Sequence, residues 1–169
     1  MSLDYSMRRE AAGDEQSIHD LVKRAFAPMP FSDGDEQDLV DTLRERGELA
    51  LSLVAVDPEG TIIGQVAFSP ATIDHAECGW FQMAPVSVSP TLQHRGIGTS
   101  LIREGIEQLR RRGANGVAVV GNPAYYEKFG FAVTADLVTL SDRDAPFFRA
   151  LPLAQPVPRG TLRYSSAFG

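Results

Sequence analysis

The chain has 169 residues, of which 43% are hydrophobic and 22% charged, with a formal net charge of −6 and a single cysteine, Cys78. That length suits one domain spanning residues 1–169 with a sizeable core, and is short for two. An acidic chain argues against a nucleic-acid partner, which needs basic faces; no run of eighteen apolar residues could cross a membrane, and one cysteine cannot close a disulfide within the chain. The first residues, "MSLDYSMRREAAGDEQ", contain no apolar stretch of the kind a secretory signal requires, so a soluble, cytoplasmic protein is expected.

"YSMRRE" reads as a first strand. Asp14 then stands where a helix N-cap belongs, and Ile18, Leu21, Val22, Ala25 and Phe26 follow at helical spacing, which predicts a helix ending near Pro28. A second helix is expected over Glu36 to Arg46, closed by Gly47. The stretch from Asp33 to Glu48 carries seven acids against two bases; it reads as a solvated helix face or as an acidic rim that attracts a cationic substrate such as an amine.

The period then changes. "LALSLVAVD" and "TIIGQVAFSP" flank a turn with Pro58 and Gly60 and predict a hairpin, while "ATIDHAEC" reads as a polar loop. In "GWFQMAPVSV", alternate residues Trp80, Gln82, Ala84, Val86 and Val88 share one face of a strand. Pro85 has no N–H for a ladder, so this strand is expected to be bulged, splayed or interrupted there. Past Gly96 and Gly98, Ile97, Leu101, Ile106 and Leu109 mark a helix that closes at "RRRG". "GVAVVG" reads as a short buried strand, "NPAYYEKFG" as a short helix, and "FAVTADLVTL" as a further strand. Residues 145–160, "APFFRALPLAQPVPRG", read as a long Pro-rich loop before a last strand. The centre, Trp80 to Val120, is a βαβ unit with parallel strands.

Two glycines between a strand and a helix point to an anion held by backbone N–H groups at the helix start. A nucleotide phosphate loop needs a Lys before its hydroxyl residue, and "GIGTS" has none. A dinucleotide fingerprint needs a third Gly, where this chain has Leu101, and an acid after the next strand, where it has "VAVVGNP".

The pattern that remains, Gln93-His94-Arg95-Gly96-Ile97-Gly98 after "APVSVSP", resembles the acyl-coenzyme A loop of the GNAT superfamily of N-acetyltransferases. "NPAYYEKFGF" is similar to that family's later segment, with Tyr126 four residues before Gly130. The resemblance covers nearly the whole chain and implies an α/β fold with a mixed sheet whose central strands splay apart. It implies acetyl-coenzyme A as co-substrate, with no metal. It further implies cofactor contacts from the backbone of Val86, Ser87 and Val88, from Gln93, His94, Arg95, Gly96, Ile97, Gly98 and Thr99, and from Asn122, Tyr125 and Tyr126. The family's cofactor-binding Asn usually lies further upstream of the tyrosine than Asn122 does, and Asn before Pro123 reads equally as a helix cap.

The implied activity is N-acetyl transfer to a small-molecule or protein amine by direct attack on the thioester, with Tyr126 as general acid. A base is expected from the loop before the splayed strand, Glu77 or His75, or from water. Cys78 reads as a packing residue. The other reading on the same fold is a non-catalytic acyl-coenzyme A sensor. Oligomeric state stays open, homodimers being common in the family.

Overall fold

The computed structural model describes residues 3–139 and 141–169. Eight strands hydrogen-bond in the order β1-β2-β3-β4-β5-β7, with β8 pairing to both β3 and β6. The residues group into two compact units: one runs up to Phe68 and resumes over Ala84–Gly105, and the other comprises Ser69–Met83 and Ile106–Gly169.

In the first unit, β1 (Ser6–Arg9) pairs antiparallel with β2 (Leu51–Val56), which pairs antiparallel with β3 (Ile62–Ile73). The β2–β3 turn is held by Asp57, whose Oδ1 accepts from the amides of Glu59 (3.0 Å) and Thr61 (2.9 Å). Helices α1 (Glu15–Phe26) and α2 (Glu36–Glu45) bury Ile18, Leu21, Val22 and Val40 against Val54 and Ile62. The expected cap of α1 differs in detail. Asp14 precedes the helix, but its carboxylate accepts from Arg8 Nη1 (2.6 Å) and the Ala11 amide (2.8 Å) instead of a helix amide, and the Arg8 hydrogen bond holds it below its usual range.

The acidic run on α2 is partly neutralised within the unit. His19 Nδ1 lies 2.7 Å from Asp41, and Arg44 donates to Asp41 (3.2 Å) and to both oxygens of Glu10 (2.8 and 3.0 Å). Helix α3 (Ile97–Arg111) packs on β3 through glycines. A Cβ on Gly64 would meet Ile97 at 2.9 Å and Leu101 at 3.0 Å, and one on Gly105 would meet the Phe68 ring at 2.4 Å.

In the second unit, the first part of β4 (Ala76–Val88), up to Met83, pairs parallel with β5 (Gly116–Val120), as a βαβ unit requires. That pairing runs from Trp80↔Gly116 to Gln82↔Ala118, while β4 itself continues through Pro85 to Val88. The ladder between β4 and β5 thus ends before Pro85 while β4 runs on, which is the splayed arrangement expected of a strand carrying a residue without an N–H.

Three expectations are corrected here. "ATIDHAEC" is not a loop but the tip of a two-residue hairpin: β3 ends at Ile73, β4 starts at Ala76, and Asp74 (φ 50) with His75 (φ 67) make the turn. Both central residues at positive φ match the hairpin twist. The Pro-rich stretch is not all loop either, because β7 (Phe148–Pro152) pairs antiparallel with all of β5. Conversely the described residues of "FAVTADLVTL", 131–139, give only an isolated Ala132↔Ala150 bridge and the three-residue β6 (Leu137–Thr139), which pairs parallel with β8 (Gly160–Arg163); residue 140 lies outside the described residues. Ala71, Ile73, Trp80, Ala118, Phe148 and Ala150 form the core of this unit, with Leu137 and Leu162.

Candidate active site

The end of β4 and the start of α3 are built together in the first unit. The Ser89 amide donates to Ile63 O (2.9 Å), and amide directions alternate along a strand, so the Val88 and Val86 backbone groups face away from β3. Val88 O accepts instead from Gln93 Nε2 at 3.3 Å, which fastens the following turn to the strand end. Between these anchors the chain turns twice through the left-handed region, at His94 (φ 64) and Gly96 (φ 89). Such alternation gathers successive N–H groups into a concavity that suits an anion.

Ile97 begins α3 and is buried with Leu101 over Gly64, so the helix start is held against β3. The first turn of a helix leaves amides without intrahelical partners and carries the positive end of the dipole. No acid occupies the first turn of α3, whereas Arg110 and Arg111 occupy its last, so no carboxylate of the helix competes for that positive end. A Cβ on Gly96 would meet nothing within 4 Å, leaving the outer side of the turn open to a bulky anion. His94 and Arg95 are exposed beside it, and Gly98 and Thr99 complete the turn of helix.

Tyr126 belongs to the second unit, on α4 (Pro123–Glu127) directly after β5. Its ring makes edge contacts with Tyr125 (5.1 Å between centroids) and Phe131 (5.9 Å). Gly121 leaves space for it: a Cβ there would lie 2.7 Å from Tyr126 Cε2. Burial, with a smaller contribution from Tyr125, pushes the Tyr126 phenol up to about 12, so it is a neutral hydrogen-bond donor throughout the physiological range. Tyr125 packs edge-on against Phe129 as well (5.5 Å), with Lys128 Nζ 4.2 Å from its ring centroid.

Two expected cofactor contacts have other work. The Asn122 side chain caps α4 by accepting from the Ala124 amide (3.1 Å), and the Gln93 amide positions the turn by donating to Val88. Glu77 lies far along the strands from Tyr126. Gly116 stands opposite Trp80, so Glu77 lies three residues before that level and Gly121 five beyond it. At about 3.3 Å per residue of strand, roughly 25 Å separates the two ends. His75 shares the hairpin tip with Glu77. Cys78 is half-buried, its Sγ 3.7 Å from Ala71 O, and burial raises its thiol. Gly121 is the residue that the motif alone missed; its signal was a glycine closing a valine-rich strand.

Comparison with known proteins agrees with this geometry. Residues 16–131 match the acetyltransferase (GNAT) family. The chain is 40% identical over 129 residues to YhbS of Escherichia coli K12, an uncharacterized N-acetyltransferase, covering 76% of this chain and 74% of that one. A crystal structure of a GNAT family acetyltransferase from Brucella melitensis in complex with acetyl-coenzyme A is similar at a TM-score of 0.88 and 38% identity, over 98% of this chain and 99% of that chain. The structure of Escherichia coli YhbS in complex with coenzyme A is similar at a TM-score of 0.91 and 34% identity, over 99% and 93% of the two chains. The chain belongs to the GNAT family of acetyltransferases.

Proposed function

We propose that the protein transfers an acetyl group from acetyl-coenzyme A to an amine. The observation that carries this reading is the start of α3, where a left-handed turn at His94 and Gly96 meets an acid-free helix N-terminus with open space beyond Gly96. The backbone N–H groups of residues 94–98 and the Thr99 turn would hold the pyrophosphate, with Arg95 adding charge. Backbone groups of Val86 and Val88, directed away from β3, would pair with the pantetheine arm as an added strand does, and Ser87 lies between them.

When bound, the co-substrate supplies an activated carbonyl and a thiolate leaving group. An amide of Val86 or Val88 would donate to the carbonyl oxygen as charge develops on it. Tyr126 would donate its phenolic proton towards the departing sulfur. With the phenol at about 12 and a thiol near 8.5, complete transfer to a free thiolate would be uphill by about 5 kcal/mol, so donation must accompany C–S cleavage. With Glu77 remote from Tyr126, water is the proton acceptor for the attacking amine. An α-amine with a pKa of about 7.7–8.0 needs least help, being in part neutral at neutral pH.

The test is released thiol, measured with acetyl-coenzyme A and a panel comprising a polyamine, an aminoglycoside, an amino acid and a peptide N-terminus. At least one should give thiol in proportion to acetylated product. Coenzyme A binding without thiol release from any of these would favour the sensor reading.

A further inference from the structure

The end of β5 has a second neighbour besides Tyr126. Val120 stands opposite Phe148 on β7, and one step further the Gly121 amide donates to Phe147 O at 3.2 Å. Only a carbonyl group separates that oxygen from the Phe147 Cα, which therefore lies no more than about 6 Å from the Gly121 nitrogen. Gly121 is also the residue on which the Tyr126 ring rests, so Phe147 and the proposed proton donor flank one glycine, all within the second unit.

Phe148 turns into the core and is 7% exposed, whereas Phe147 is 50% exposed. Ala145 and Pro146 are exposed as well, so the single helical turn Ala145–Phe147 is an apolar lip without a charged or hydrogen-bonding side chain. The lip is pinned. The Phe147 amide donates to Asp144 O (2.8 Å), and the amides of Asp144 and Ala145 donate to Ser141 O (3.1 and 3.0 Å). Arg149 Nη1 donates to Pro146 O (3.1 Å) and Phe148 O (2.7 Å), the carbonyls on either side of Phe147. A phenyl carried by a fixed backbone gives up little further freedom when a ligand covers it, and covering it removes apolar area from water. One exposed phenylalanine is ordinary on a surface; one fixed beside the proton donor, at the tip of an apolar run, is placed to meet what the reacting group carries.

We propose that Phe147 is a specificity-determining residue that packs against an apolar or aromatic group borne by the acceptor close to its amine. This rests on the acyl-transfer reading above, with Tyr126 at the leaving group, and narrows the substrate class to arylalkylamines and the amines of hydrophobic amino-acid derivatives, in place of polyamines and aminoglycosides.

The experiment measures amine binding to the full chain saturated with coenzyme A by calorimetry, and turnover with acetyl-coenzyme A by released thiol. The probes are matched: 2-phenylethylamine against ethanolamine, L-phenylalaninamide against L-serinamide, and spermidine. The wild type should favour the aromatic member of at least one pair by about 10-fold, as the ring area covered and one aromatic pair allow. Phe147→Ala should bring that ratio towards 1 and Phe147→Leu should keep part of it, both with coenzyme A affinity unchanged. Since half of the side chain is already in water, both variants should melt close to the wild type. No preference between the members in the wild type, tightest binding of spermidine, a ratio that survives Phe147→Ala, or coenzyme A affinity lost with the ring would overturn the proposal. An aromatic preference in binding that Phe147→Ala abolishes, with no thiol released from any probe, would uphold the recognition and strike only the acyl-transfer reading.

Discussion

The Tyr126 ring lies over Gly121, where a Cβ would come within 2.7 Å of Cε2, so one small residue decides where the phenol sits. Tyr126→Phe keeps the ring contacts with Tyr125 and Phe131 and removes only the proton donor. A general acid contributes ~10²–10⁴ in rate, and the mismatch between a phenol at about 12 and a thiol near 8.5 places this one at the low end. The expected result is a fall in kcat of ~10²-fold with coenzyme A affinity unchanged, read from steady-state kinetics and titration. An equal loss of affinity would show that the hydroxyl binds cofactor and does not act on the leaving group.

The same half-buried phenol sets a pH dependence whose sign is definite. Its folded pKa, about 12, lies above the unfolded value near 10, so the folded state holds the proton more tightly. Below pH 10 both states are protonated and the group contributes nothing to the slope. Between pH 10 and 12 the unfolded chain loses the proton first, and stability falls by about 2.7 kcal/mol over that window. Tyr164, half-buried and also pushed up to about 12, falls in the same window. Chemical denaturation across pH 9–12 should show the decline, with a visibly shallower slope in Tyr126→Phe; identical slopes in the two proteins would place the phenol in solvent.

At the scale of elements, the start of α3 depends on how closely the helix approaches β3. Gly105→Ala should gain up to about 1 kcal/mol in helix propensity, yet its new Cβ would sit 2.4 Å from the ring of Phe68, which is fully buried and has nowhere to go. Overpacking of this kind costs ~1–3 kcal/mol, so net destabilisation is expected, measurable as a lower denaturation midpoint. Gly96→Ala tests the other end of the same device. There the Cβ meets nothing, and the cost is only that of a left-handed φ, about 1–2 kcal/mol, but the added methyl occupies the side on which the pyrophosphate is proposed to lie. Coenzyme A affinity should therefore drop more than ~10-fold in Gly96→Ala and stay unchanged in Gly105→Ala wherever the latter is folded.

Elements with strong periodicity or paired turn signals were legible from the residues. The α1 stripe at Ile18, Leu21, Val22 and Ala25, the turn with Pro58 and Gly60, and the α3 run from Ile97 all stand where their spacing placed them. What escaped was structure with an atypical signal. Asp74 and His75 make a turn at positive φ without glycine, so the hairpin tip read as a loop. Strand β7 ends in Pro152 and follows Pro146, and only the pairing with β5 overrides the breaker signal of those prolines. The candidate site was legible where it is backbone, at Gly96 and α3. It was less so at side chains such as Asn122 and Gln93, whose hydrogen bonds are local and visible only once folded.

For the whole molecule, cofactor binding and stability are one linked quantity. The acidic balance of −6 opposes a polyanionic ligand at long range, so the proposed site at the start of α3 has to act through short-range contacts. Among the described residues no helix is long and apolar enough to cross a membrane. A ligand present at 100 times its dissociation constant stabilises the folded state by about 2.7 kcal/mol, and for a chain of this size each kcal/mol moves Tm by ~2–4 °C. Coenzyme A at that excess should thus raise Tm by ~5–10 °C. Because the pyrophosphate carries most of the charge held at α3, dephospho-coenzyme A should retain nearly all of the shift and pantetheine nearly none. The shift should shrink sharply in Gly96→Ala and persist in Tyr126→Phe. A melting curve that stays flat with coenzyme A, or that responds as strongly to pantetheine, would remove α3 as the anion site and with it the ground for acyl transfer.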